Sequence, residues 1–193
     1  MTLVKSKIIK GGFYLTLVNA LSQLLAIVVN IVLARLLLPE DFGLVALTMT
    51  FIGFILLFTN MGFGASIIHE TEISQQKLSS IYWLNFGLSI ISFIIIISTS
   101  QFAADFYDEQ QLTSIVYFAA INILITPFFI THYKLLEKTL EFKTISKINL
   151  SATIIGALAA IVGAYIGIGV YALILQSFVS TIVRLILVLF FKK

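Results

Sequence analysis

Four stretches of this chain carry no charged side chain: Gly11–Ala34, Phe42–Ile68, Leu78–Ala104 and Gln110–Thr131. Each exceeds the ~20 residues that cross ~30 Å of hydrocarbon as a helix. A fifth stretch, Ile148–Phe191, is interrupted only by Arg184. As one straight helix it would measure about 66 Å at 1.5 Å per residue, about twice the bilayer core. It must fold back, and Gly167-Ile168-Gly169 is the place, because paired glycines permit the backbone angles of a tight turn.

The expectation is an all-α, polytopic membrane protein with six transmembrane helices, at about 12–34, 44–66, 80–100, 112–133, 148–166 and 170–191. Composition agrees: 60% of residues are apolar and 11% charged, against roughly a quarter charged in soluble domains. The 193 residues lack the polar groups to coat a soluble surface. A basic start followed by an apolar run also resembles a secretory signal peptide. The first run is longer than such a segment needs and is read as a permanent span.

The net charge of +3 is topological, since most lysines lie just outside the apolar runs, and no nucleic-acid partner is expected. Lys and Arg are retained on the cytoplasmic side of short loops. Lys5, Lys7, Lys10, Lys77, Lys134, Lys138, Lys143, Lys147, Lys192 and Lys193 all fall on one side of a six-span arrangement. The other side has Arg35 alone, with Asp105, Asp108 and Glu109 in the loop after span three. Both termini are therefore expected in the cytoplasm. Phe13, Tyr14, Tyr82, Trp83 and Tyr133 would mark the inner interface, and Phe102, Phe106, Tyr107 and Tyr171 the outer.

A polar side chain in lipid is costly unless it faces another helix or a wet cavity. At 100° per residue, Thr16, Asn19, Gln23 and Asn30 share one side of span one, and Asn85, Ser89, Ser92 and Thr99 one side of span three. Ser177, Ser180, Thr181 and Arg184 form a third stripe on span six. Two readings stand for these stripes: interhelical hydrogen bonds, or the wall of a substrate cavity. Asn19, Gln23, Asn30, Asn85 and Arg184 are the cavity candidates. Arg184 could instead snorkel to the interface two turns away. On span five, Ala152, Gly156, Ala160 and Ala164 recur every four residues, a surface for close helix packing, and Pro127 should kink span four.

The chain has no cysteine, so disulfides and thiolate ligands are excluded. No nucleophile–base constellation, metal-spaced His set or phosphate loop is present. No catalytic residue, metal or cofactor is expected. His69 and His132 lie near span ends and carry no assigned chemistry.

RLLLPEDFG, Arg35–Gly43, resembles the turn signature after the first helix of bacterial polysaccharide and lipopolysaccharide flippases, in the multidrug/oligosaccharidyl-lipid/polysaccharide (MATE-like) exporter superfamily. Asn60–Ser66, Ser80–Asn85 and Glu141–Lys143 resemble later segments of that family in the same order. The resemblance implies one lobe, the N-terminal six helices, of a two-lobe transporter, with a second six-helix lobe completing the cavity. It also implies the substrate, a polyprenyl-pyrophosphate-linked oligosaccharide flipped across the bacterial plasma (inner) membrane during polysaccharide or lipopolysaccharide biosynthesis. A cation-coupled drug exporter half and a non-transporting truncated or assembly protein are the alternatives. The former predicts an intramembrane acid, and the spans contain none. Within the signature, Pro39 ends helical continuation, Glu40 and Asp41 can cap the next helix, Phe42 and Gly43 open it, and Arg35 reaches the interface.

Overall fold

The computed structural model describes residues 2–59 and 75–191. Among the described residues seven helices follow one another: α1 (Thr2–Leu36), α2 (Pro39–Thr59), α3 (Gln75–Tyr107), α4 (Gln111–Ile125), α5 (Pro127–Lys138), α6 (Phe142–Tyr165) and α7 (Tyr171–Phe190). No strand occurs among the described residues. The motif at 60–66, His69 and the end of span two lie outside them.

Helices are what an apolar chain must form in lipid, where every backbone N–H and C=O has to find its partner within the segment. Five are long and apolar enough to cross a membrane, and α4 with α5, bent by 51° at their break, meets the same standard of length and apolarity only as a pair. The bend follows from Pro127, which has no N–H to donate to the Ile123 carbonyl four residues earlier. Large apolar side chains stand exposed around the bundle, among them Phe54, Leu57, Ile94, Leu158, Val162 and Ile186. A soluble surface does not tolerate such coverage. The protein is a multi-pass membrane protein.

Three turns between helices share one construction, in which a left-handed residue lets two N–H groups reach back to the last carbonyls. After α6, Gly167 (φ 81) takes that role, with Ile168 N–H on the Gly163 carbonyl (3.2 Å) and Gly167 N–H on that of Ala164 (3.1 Å). After α3 the residue is Asp108 (φ 55), and after α5 it is Leu140 (φ 56). Gly169 (φ 58) completes the α6–α7 turn, so both glycines of the expected hairpin adopt the conformation for which glycine is suited.

The Arg35–Gly43 segment is a helix junction. Pro39 is the first residue of α2, where its missing N–H costs nothing and its fixed φ suits the helix. Asp41, two residues on, accepts the Leu38 N–H at 3.0 Å and so satisfies a donor that the proline-led start would leave open. A side chain at Gly169 would lie 3.7 Å from Asp41, placing the α1–α2 and α6–α7 turns side by side. Gly43 lies inside α2, and Arg35, Pro39 and Glu40 are exposed.

The turns α1–α2, α3–α4 and α6–α7 gather at one end of the bundle, the hairpin end; α1 begins and α7 finishes at the other, the terminal end. The principal packing order is α1–α6–α7–α4–α3, with α2 against α3 and α4. Two apolar clusters close the hairpin half. One joins Leu44, Ile52, Ile96, Leu112, Val116 and Ile174; the other joins Val29, Leu33 and Leu37 of α1 to Ala157, Ala160 and Ala164 of α6. The small-residue stripe of span five is thus a packing surface. A Cβ on Gly156 would run into Ser180 Oγ and come within 2.7 Å of the Gln176 carbonyl, and Ser180 donates to the Ala152 carbonyl at 3.0 Å. A smaller cluster of Phe129, Ile148 and Val188 lies toward the terminal end.

Candidate functional site

The bend at Pro127 directs α5 toward α6 and α7, and a polar cavity of about 600 Å³ opens among α1, the α4–α5 break, α6 and α7. Asn19, Ser22 and Gln23 line it from α1, Thr126 from the break, and Phe129, Ile130 and Tyr133 from α5; Asn149 and Thr153 come from α6, Thr181 and Arg184 from α7. Its positions lie in the terminal half of the bundle: Arg184 precedes the end of α7 by six residues, and Asn149 follows the start of α6 by seven.

Among the described residues, Arg184 is the only charged one that lines it. The guanidinium Nε is buried without a hydrogen-bond partner, and no ion pair to Arg184 occurs among the described residues. A buried donor left without a partner is costly, and the planar guanidinium suits carboxylate or phosphate oxygens. The rest of the wall is neutral. Asn149 Nδ2 donates to the Tyr133 hydroxyl at 2.9 Å, joining α6 to α5, and Thr153 and Thr181 spend their protons on the carbonyls of Asn149 and Ser177. Ser22 Oγ is buried and unpartnered. The described lining residues therefore offer one cation, amides and hydroxyl oxygens, and no carboxylate is among them.

Of the five residues expected to line a cavity, the structure brings Asn19, Gln23 and Arg184 together. Asn30 points the same way as Asn19 but lies eleven residues, or about 16 Å, farther along α1, and it lines none of the described cavities. Asn85 belongs to a separate cleft between α2, α3 and α4, with Ser89 and Ser92. The span-six stripe divides as well: Ser177 receives Asn122 Nδ2 at 3.3 Å, Ser180 turns to α6, and Thr181 and Arg184 face the cavity. Sequence reasoning missed Thr126, Tyr133, Asn149 and Thr153. The signal was present as Asn149 and Thr153 at i, i+4 on one side of span five.

Residues 32–193 match the family described as polysaccharide biosynthesis protein. The lipopolysaccharide biosynthesis protein WzxC of Escherichia coli (strain K12) is 27% identical over 190 residues, 98% of this chain and 39% of the relative. The teichuronic acid biosynthesis protein TuaB of Bacillus subtilis (strain 168) is 33% identical over 96 residues, 50% of this chain and 20% of that one. The succinoglycan biosynthesis transport protein ExoT of Rhizobium meliloti (strain 1021) is 26% identical over 157 residues, 80% of this chain and 31% of that one. The chain spans about two fifths or less of the length of these relatives. No solved structure matches it significantly. The resemblance carried by Arg35–Gly43 is borne out, and the chain belongs to the polysaccharide biosynthesis protein family.

Proposed function

We propose that this chain forms a substrate-binding lobe of a flippase that moves a polyprenyl-pyrophosphate-linked oligosaccharide across the bacterial plasma membrane. The observation that carries the proposal is Arg184, whose buried Nε lacks a hydrogen-bond partner and which has no ion pair among the described residues, in a cavity whose other described lining residues are uncharged. A pyrophosphate would meet its open donors with charge-assisted hydrogen bonds, while the amides and hydroxyls around it suit sugar hydroxyls. The polyprenyl tail can stay in the bilayer. Binding would involve no covalent step, so the role is transport and not catalysis.

The lysine distribution supports cytoplasmic termini, and the cavity lies in that half of the bundle. It is therefore placed to receive substrate from the inner leaflet. A second six-helix lobe, in the same polypeptide or another, would wall its open side, and rocking of the lobes would alternate access. WzxC and ExoT bear names from lipopolysaccharide biosynthesis and succinoglycan transport, which supports an exported glycan as the cargo.

The test is Arg184→Ala in the complete transporter of the host cell. Surface polysaccharide should fall at least tenfold while membrane insertion of the chain is unchanged. Export at the unaltered level would remove Arg184 from substrate binding.

A further inference from the structure

The α5–α6 turn carries more basic charge than its own acids neutralise. Lys134 and Lys138 on α5 and Lys143 and Lys147 on α6 stand against Glu137 and Glu141. Both acids are engaged within the turn. Glu137 pairs with Lys134 at 2.8 Å, and Glu141 accepts the Thr144 hydroxyl at 3.1 Å. No ion pair to Lys138, Lys143 or Lys147 occurs among the described residues, and Lys143 and Lys147 are exposed. Lys143 also stands in the first turn of α6, which contains no acidic residue. At that positive end of a helix an anion is favoured and a lone cation is not.

The fold brings the two lysine pairs to one flank. Tyr133 and Asn149 meet seven residues before and nine after the left-handed Leu140, so α5 and α6 run back along each other from the turn. At 100° per residue, Lys134 and Lys138 lie roughly 100–140° round α5 from that contact, and Lys143 and Lys147 roughly 120–160° round α6. Rotations of the same sense, taken on antiparallel helices from a shared contact, lead to the same side. The lysines therefore form one basic surface. Its depth follows from the sequence: Thr131 ends one charge-free stretch three residues before Lys134, and Ile148 opens the next directly after Lys147. The surface lies where hydrocarbon gives way to headgroups.

We propose that this surface binds the headgroup of an anionic phospholipid through Lys138, Lys143 and Lys147. Their ammonium groups are donors without acceptors of their own, and juxtamembrane lysine clusters attract anionic lipids. A zwitterionic headgroup brings its own cation, which the lysines repel. Membrane topology requires only that lysines stay on the cytoplasmic side. It does not require three of them to share a flank of one helix hairpin without counter-ions, and that placement is what fits a headgroup. The bound lipid would brace the turn whose Tyr133–Asn149 bond forms part of the cavity wall. The inference is independent of the cargo, and only the choice of the inner leaflet rests on the orientation proposed above.

The test is the thermal unfolding midpoint of the purified full-length chain in neutral detergent, titrated with phosphatidylglycerol or phosphatidylcholine at constant ionic strength. Phosphatidylglycerol should raise the midpoint saturably, by about 3–5 °C at ten times the half-saturating mole fraction, and phosphatidylcholine should not. Lys138→Gln, Lys143→Gln and Lys147→Gln together should raise the half-saturating fraction at least tenfold without lowering the lipid-free midpoint. Removing three other lysines of the same side, by Lys5→Gln, Lys7→Gln and Lys10→Gln, should preserve the response, and so should Arg184→Ala, which separates this surface from the cavity. Equal responses to the two lipids, an equal rise with inorganic phosphate alone, a response lost in either control, or a turn variant that titrates like the unaltered chain would overturn the lipid site.

Discussion

Asn149 Nδ2 donates to the Tyr133 hydroxyl at 2.9 Å across the α5–α6 interface. The two side chains thereby hold the lower segment of the bent span against its neighbour and form part of the wall that faces Arg184. Interhelical hydrogen bonds in membranes are worth ~0.6 kcal/mol on average. A double-mutant cycle of Tyr133→Phe and Asn149→Leu, read by denaturant unfolding in mixed micelles, should return a coupling of that order. Additive effects would mean that the two residues act independently.

Close packing of α6 on α7 leads to a sharper expectation. A Cβ on Gly156 would collide with Ser180 Oγ and approach the Gln176 carbonyl to 2.7 Å, and backbone cannot move aside as a side-chain tip can. Gly156→Ala should cost about 1–3 kcal/mol through overpacking. Adding Ser180→Ala should recover only part of it, because the carbonyl contact stays. Gly53→Ala in α2, where a Cβ would meet open space, serves as the control and should not lower stability. Thermal unfolding of the three variants in detergent checks the order.

Leu140 poses the opposite case. It occupies the left-handed position of the α5–α6 turn at φ 56, a conformation that costs an L side chain roughly 1–2 kcal/mol. The carbonyls it helps to satisfy are those of Leu136 and Glu137, reached by Glu141 and Leu140 N–H at 3.0 and 3.1 Å. Leu140→Gly keeps both bonds and removes the crowding, so the unfolding midpoint should rise by about 2–4 °C for a net gain near 1 kcal/mol. A fall would show that packing of the half-buried leucine outweighs its backbone strain.

The helices and the α6–α7 turn were legible because charge-free length and paired glycines are local properties of the chain. The polar stripes were legible in angle only. A helical wheel places Asn19, Gln23 and Asn30 on one side of α1, yet it says nothing of depth, and only the first two reach the cavity level. Nor does it give neighbour order. Asn85 lies on a stripe as regular as that of Arg184, but α3 packs on α2 and α4 while α7 packs on α6, so the two stripes open into different spaces. Tyr133 reads as an interfacial aromatic until the Pro127 bend is known to direct α5 toward α6 and α7.

The central claim is that the cavity around Arg184 receives an anionic headgroup. Its most direct measurement is the affinity of the purified full-length chain for undecaprenyl pyrophosphate relative to uncharged undecaprenol, by titration in nanodiscs. The unaltered chain should prefer the pyrophosphate at least tenfold, Arg184→Lys should keep part of that preference, and Arg184→Ala should lose it with helicity unchanged. A preference of equal size in a folded Arg184→Ala chain would contradict the account.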